Sequence, residues 1–441
     1  MITYLKLKWL LNDSLLCCVF LIFLPSTVRA EDWPQTQGKN RDNKSKETGL
    51  LSEWPQDGPS LLWTFRHSGV GYSGPAVVGD QIYIMGGRNG RAELLSIKAT
   101  SGELVWSKPF NSKTFDFEGN SWGAGPRATP TVAGEMIYAL AGDGELAAFN
   151  TKGEIQWQKN MVSDLGGEIS IVDAGEPETY GWGFCWSPLV DKNKVICVPG
   201  GSQGMVAALD RETGEVIWRS KNLTDAATYS SPIKATVDGV DTYIVMTQSG
   251  MAGIAASDGE LLWNYKRDQP YSDVVIPTPV YHDRYVYASV GSAGCDLIKL
   301  DKQSELRFDV AKVYFSRNMK NELGGFVLHN GHIYGSSARR GWVCQTFENG
   351  ELEWYSKRVP DALGEGSVAY ADGHLYLYAE READVALIEA FPEGYREKGR
   401  FKLPEESEMR APSGKNWTHP VIAGGKLYLR DQELLFCYDI E

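Results

Sequence analysis

Cysteine and histidine are both scarce in this chain, and their scarcity removes several kinds of protein from consideration. Seven cysteines occur in 441 residues, and two of them, Cys17 and Cys18, fall inside an N-terminal apolar run. The other five, Cys185, Cys197, Cys295, Cys344 and Cys437, are odd in number and widely scattered, so they build no disulfide framework. Six histidines offer one close pair, His329 and His332, while His332 and His374 occupy equivalent hairpin turns. A repeat explains that placement without a zinc site, and no metal ligands are assigned. An Asp-x-Asp-x-Asp-Gly calcium loop is missing. So is a Gly-x-Ser-x-Gly nucleophile turn, because "GGSQG" at 200–204 lacks the strand-to-helix setting. Positive charge is also short, with 44 Lys and Arg against 57 Asp and Glu, net −13. An acidic surface repels phosphate backbones, which argues against nucleic acid and anionic lipid as partners.

Long apolar runs are limited to the first thirty residues. Lys6 and Lys8 precede an apolar stretch from Leu15 to Leu24, and "VRA" at 28–30 offers small residues for cleavage. This is the pattern of a secretory signal peptide, whose apolar core is too short to span a bilayer comfortably. The expectation is export to the periplasm or medium with cleavage near Ala30; an uncleaved anchor is the other reading. Removing residues 1–30 takes away Lys6, Lys8, Arg29 and Asp13, which moves the charge from −13 to −15. No membrane span is expected in the mature chain. Residues 31–59 read as an N-terminal extension and 60–441 as one domain.

What the chain has in abundance is repetition. "GELVW", "GEIQW", "GEVIW", "GELLW" and "GELEW" begin at 102, 153, 214, 259 and 350, and degenerate copies end at Phe308 and Phe401. With Trp63 of "PSLLWTF", eight aromatic rungs stand 43 to 61 residues apart, near the length of a four-stranded propeller blade. Each unit opens on an apolar strand, a polar turn and a second strand, as in "TPTVAGEMIYALAG", which fits antiparallel hairpins. The last unit stops at Glu441 without a Trp strand, and "PSLLWTF" is a Trp strand without a preceding three. Pairing them completes an eighth blade, whereas an open ring would expose two apolar blade faces and unpaired edges. Six residues before each signature glycine stand Ser96, Ala147, Ala208, Gly253 and Cys344, small enough to give an indole a slot. The predicted fold is all-β, an eight-bladed propeller of four-stranded antiparallel blades closed by an N-terminal strand.

The Asp-x-x-Thr-Gly-Glu-x-x-Trp pattern, whole in "ALDRETGEVIW", resembles the tryptophan-docking repeat of the pyrroloquinoline-quinone (PQQ) propeller superfamily. The resemblance spans about residues 60–441, and it implies eight blades around a central channel with end-to-end closure. Quinoprotein alcohol dehydrogenases belong to that superfamily, as do non-catalytic members such as the scaffold of outer-membrane protein assembly. The opening "EDWPQTQGKNRD" and the phrases "GPRATPTV" and "NMKNELGG" are similar to an exported bacterial subgroup of unassigned role. For the dehydrogenase branch the resemblance implies PQQ with calcium and a disulfide between adjacent cysteines. Those ligands match no residues here, and the chain beyond residue 30 has no adjacent cysteine pair.

Links from each outer strand to the next inner strand share one face, and two of them, 107–127 and 158–186, are long; the opposite face carries short turns. Elaborated loops on one face point to the binding side, although tolerated insertions would look the same. Residues just before each inner strand should ring the channel mouth. The candidates are Tyr72, Trp182, Tyr229 and Trp417 as stacking surfaces, Arg127 as cation, Glu365 as acceptor, and His419 in a row otherwise small or hydroxylic. Asn321 and Glu322 enter from a neighbouring link. Aromatics flanking a few charges suit a sugar, a quinone or a peptide. Two functions follow: a binding or scaffold module for a protein, glycan or small-molecule ligand, or a PQQ-dependent alcohol or sugar dehydrogenase. Turn register keeps Cys185 and Cys197 beyond disulfide reach. Five free thiols should therefore titrate in the unreduced, denatured mature protein, and a count of three or one would contradict this.

Overall fold

The computed structural model describes residues 31–111, 121–169, 181–271, 274–304 and 306–441. The leader assigned to residues 1–30 lies outside the described residues, as do parts of both long links. Eight four-stranded antiparallel sheets follow one another around a ring. Blade 1 runs from Ala76 to Pro109, blade 2 from Thr131 to Asn160, blade 3 from Leu189 to Arg219 and blade 4 from Ile233 to Lys266. Blade 5 spans Val280–Ser316, blade 6 Phe326–Tyr355 and blade 7 Gly366–Lys402. In blade 8, strands Val421–Ala423, Lys426–Asp431 and Leu434–Asp439 are completed by Ser60–Phe65, with Trp63 opposite Cys437. The chain ends are thus tied into one sheet, as the unfinished last repeat requires.

The small residues of the third strand do what their size suggests. Ser96 faces Trp106, Ala208 faces Trp218, Gly253 faces Trp263 and Cys344 faces Trp354. A methyl group on Gly253 would lie 2.0 Å from the Trp263 indole nitrogen, so only glycine fits there. In blade 2 the partner of Trp157 is Ala148, one residue beyond the expected Ala147. Where the second strand carries tyrosine, the indole leans across the small residue toward it, with centroids 5.9 to 6.2 Å apart at Trp157–Tyr138, Trp106–Tyr83, Trp63–Tyr428 and Trp354–Tyr334.

The signature glycine belongs to the next blade. Its added Cβ would meet the preceding blade's indole at 2.7 Å for Gly102 on Trp63, 2.9 Å for Gly153 on Trp106 and 2.7 Å for Gly214 on Trp157. Indole N–H groups also reach over, from Trp63 to the Ala99 carbonyl and from Trp106 to that of Thr151. The repeat is therefore a docking code between blades.

Two rungs differ from the sequence ladder. The blade 5 hairpin is long, Gly294–Ser304 paired with Arg307–Ser316, so Phe308 sits opposite Lys302, too early for the slot. Tyr314 takes the place instead, packing on Gly350 and donating its hydroxyl to the Phe347 carbonyl. In blade 7 the position is Gly399, opposite Leu387. The extension supplies the missing ring: Trp54, 5% exposed, packs 5.9 Å from Tyr376 and 5.3 Å from Phe401. A methyl group on Gly399 would lie 2.5 Å from the Trp54 Cβ.

Residues 31–49 form a plug in the channel. Asp32 caps the blade 1 turn at Gly79, and Trp33 pairs with Val77 of the blade 1 inner strand. The chain turns back through positive φ at Gln37, Gly38, Arg41 and Asn43. Asn43 and Ser45 then bond to the backbone of Tyr370 in blade 7. The buried Arg41 guanidinium donates to the carbonyls of Ser187, Pro188 and Pro232, and burial pulls its pKa down to about 9, leaving it charged at neutral pH. Pro34, Lys44 and Glu47 add bonds to blades 2, 6 and 8. All five cysteines among the described residues are free.

Trp54→Ala should destabilise the protein by about 3–5 kcal/mol, as Trp157→Ala should, because each leaves a cavity between two blades. Denaturant unfolding of both variants checks this; a Trp54→Ala midpoint equal to wild type would show that the slot in blade 7 does not need the ring.

Candidate functional site

Above the plug, on the face that carries the links, the inner strands open into a cup of about 370 Å³. Trp33, Thr36 and Gln37 of the plug line it from beneath. The chain segments just before the inner strands surround it, because every inner strand starts on this face. Of the nine candidate residues, Tyr72, Arg127, Trp182, Tyr229, Glu322, Trp417 and His419 line the cup.

Its aromatic wall falls into two groups. Trp417 stands 5.0 Å from Tyr72 and 6.1 Å from Trp122, and the Tyr72 hydroxyl donates to the Trp122 carbonyl at 2.6 Å. Arg127 lies 5.0 Å from the Tyr72 ring centroid, held there by bonds to the Gly123 and Gly125 carbonyls at 2.6 and 3.2 Å. Farther round, Trp182 meets Tyr229 edge-on at 5.8 Å, and the Cys185 thiol points back at the Trp182 carbonyl. Burial raises the pKa of Tyr72 and Tyr229, and it pushes that of Cys185 up to about 12 although Arg127 pulls the other way. These groups stay neutral at physiological pH. Cys185 is a poor nucleophile, since the thiolate is the reactive form.

His419 is half-buried at the cup's edge, its ring nitrogens 3.3 Å from Asn43 Oδ1 and 3.1 Å from the Leu323 carbonyl. Burial lowers its pKa, only partly opposed by the Leu323 carbonyl. Two candidates stand apart from the cup. Asn321 is fully buried and spends its amide on Gly325 and Ser336, bracing the turn ahead of blade 6. Glu365 accepts the Arg339 N–H at 2.8 Å and faces a smaller recess between blades 6 and 7, behind Leu323 and Trp417.

Trp122, Trp33 and Gln37 were not legible as site residues. Trp122 lies within the long 107–127 link, where no repeat register places it, and the other two arrive with the plug. Two residues of the cup each carry a buried atom with no hydrogen-bond partner among the described residues: Gln37, 7% exposed, at its Oε1, and Trp417 at its Nε1. Both atoms are themselves shielded from solvent, and leaving such groups unpaired carries a desolvation cost. Among the described residues no group of three or more His, Cys, Asp or Glu could hold a metal ion. No described helix is long and apolar enough to cross a membrane.

The family described as outer membrane protein assembly factor BamB matches residues 52–180 and 178–356. No curated protein matches the sequence. Among solved structures, BamB from Moraxella catarrhalis is similar at 13% identity, covering 86% of this chain and 99% of that one, with a TM-score of 0.57. Quinohemoprotein alcohol dehydrogenase from Comamonas testosteroni is similar at 10% identity, covering 93% and 80%, with a TM-score of 0.64. A europium-containing methanol dehydrogenase is similar at 11% identity, covering 91% and 89%, with a TM-score of 0.62. At such identities the likeness is one of fold.

Since the folded His419 takes up a proton less readily than an unfolded histidine, stability should fall as pH drops below about 6.5. His329 shifts the same way, also by burial, so the comparison needs a variant. The Tm difference between wild type and His419→Asn should change between pH 8 and pH 5, to the cost of wild type; a constant difference would mean the imidazole titrates as it does unfolded.

Proposed function

Because the chain belongs to the PQQ-like propeller family described as outer membrane protein assembly factor BamB, we propose that it is an exported binding protein that holds a ring-bearing small ligand in the cup. The observation that carries this reading is the convergence of six aromatic residues, Trp33, Tyr72, Trp122, Trp182, Tyr229 and Trp417, with Arg127 on one cavity that the plug lines from beneath. Flat rings stack on Trp417, Tyr72 and Trp182, while Arg127 supplies a cation for a polar or anionic substituent. A sugar or a planar heterocycle carrying an acceptor group meets these demands. Periplasmic or secreted placement is supported by the leader pattern and by the envelope role in the family's description.

A second reading, a quinone-dependent alcohol or sugar dehydrogenase, has the higher TM-scores behind it. The cup's rings and Arg127 fit a planar anionic quinone. The calcium that accompanies such a quinone does not fit, because it needs several convergent oxygens and Glu322 is the only Asp or Glu among the described residues lining the cup. No chemical step is assigned through it. Protein docking on the loop-rich face rests on the family description and on no feature of the cup.

Tryptophan fluorescence during titration with PQQ, with and without calcium, and with mono- and disaccharides tests the proposal. Saturable quenching is expected, weakened at least tenfold, about 1.4 kcal/mol, by Trp417→Ala and by Arg127→Ala. Dye-linked alcohol oxidation on adding PQQ would establish the second reading instead. Quenching by no probe, or binding indifferent to both variants, would remove the cup from the function.

A further inference from the structure

Glu47 is 1% exposed, and its carboxylate is held by backbone N–H groups: those of Gly424 and Gly425 at 2.5 and 2.9 Å, and that of Glu31 at 2.8 Å. Among the described residues no Lys, Arg or His side chain forms an ion pair with it. A buried carboxylate met only by neutral donors carries a desolvation cost that a neighbouring cation would offset. The Glu31 nitrogen is the one donor of the three that can become a cation. It follows "VRA" at 28–30, the small-residue pattern at which a leader is cut.

We propose that the Ala30–Glu31 bond is the processing site, and that the α-ammonium released on Glu31 pairs with the buried Glu47 carboxylate. The cut is a hydrolysis by a leader peptidase: water adds across the amide, Ala30 leaves as a carboxylate and the Glu31 nitrogen gains the proton. Cleavage precedes folding, so the site need not be accessible in the folded ring.

The consequence lies in the plug. Residue 31 is where the plug enters the channel and residue 47 where it leaves, so the ion pair closes its neck. A second bond, from the Lys46 N–H to Glu31 Oε2 at 2.6 Å, reinforces the closure. The same plug carries Trp33 and Gln37 to the bottom of the cup, so processing stabilises the ligand site, a consequence that rests on the small-ligand reading. The neck lies at the blade 8 turn, Gly424–Gly425, on the face opposite the cup. The titratable groups facing Glu47 are Glu31 and Lys46 of the neck, Lys426, Tyr428 and Glu441 of blade 8, and Tyr376 of blade 7.

The test uses no ligand, so its failure is separate from failure of the ligand reading. Full-length protein is exported from a bacterial host and its first residue found by mass spectrometry, which should give Glu31. Protein beginning at Glu31 is then compared with protein keeping Gly-Ser ahead of it, each with and without Glu47→Gln. The extension should lower Tm by at least about 2 °C in the wild-type background and by nothing further in the Glu47→Gln background, where the side chain is a neutral amide. A mature terminus elsewhere, or equal melting of the two wild-type forms, would overturn the proposal. Should Glu47→Gln fail to fold, competitive acylation of the Glu31 amine decides: a pKa above the ordinary value of about 8 supports the pair, and an ordinary value refutes it.

Discussion

The indole of Trp63, carried by the first strand, lies against Gly102 of the next blade, and the contact recurs as Trp106 on Gly153 and Trp157 on Gly214. This contact sets the spacing of the blades. It needs a glycine on one side, held at positive φ at a turn, and a small third-strand residue on the other so that the ring can lie flat. Eight joints between blades, most of them variations on this contact, must close a circle. An open one would leave an apolar blade face and an unpaired strand edge in water, which is why the N-terminal strand is spent on the last blade.

Closure leaves a channel, and the extension fills it. The plug has little apolar surface of its own apart from Trp33 and is held mainly by directional bonds to the inner strands. Arg41 alone satisfies three carbonyls at the start of blades 3 and 4. A buried guanidinium is tolerated because its donors are used, and removing it would take that donor from the Ser187 and Pro232 carbonyls, while Pro188 would keep the Thr131 hydroxyl. The plug turns an open channel into a cup. Without it, Tyr72, Arg127 and Trp417 would line a pore.

The repeat made much of the site legible. Seven of nine candidate residues line the cup, since residues preceding equivalent inner strands must lie at equivalent places round one mouth. Register fixes where a Cα sits and not what the side chain does there. Asn321 was drawn into bracing its own turn, and Glu365 turned to the Arg339 backbone and a separate recess. The lower lining was not legible, because Gln37 comes to lie beside Gly325, ahead of blade 6 and nearly three hundred residues away in sequence.

By itself the sequence determined the blade count, the closing strand, the face that bears the links and the slots for indoles. These follow from local periodicity and the size of single residues, which most repeats state again. Tertiary structure alone decided that Tyr314 replaces Phe308 and that Trp54 fills the gap beside Gly399. It also decided that residues 31–49 close the channel beneath the cup. Each of these depends on a ring or segment reaching a partner far away in the chain. Which partner it reaches is settled by the space the folded blades leave, and no periodicity encodes that space.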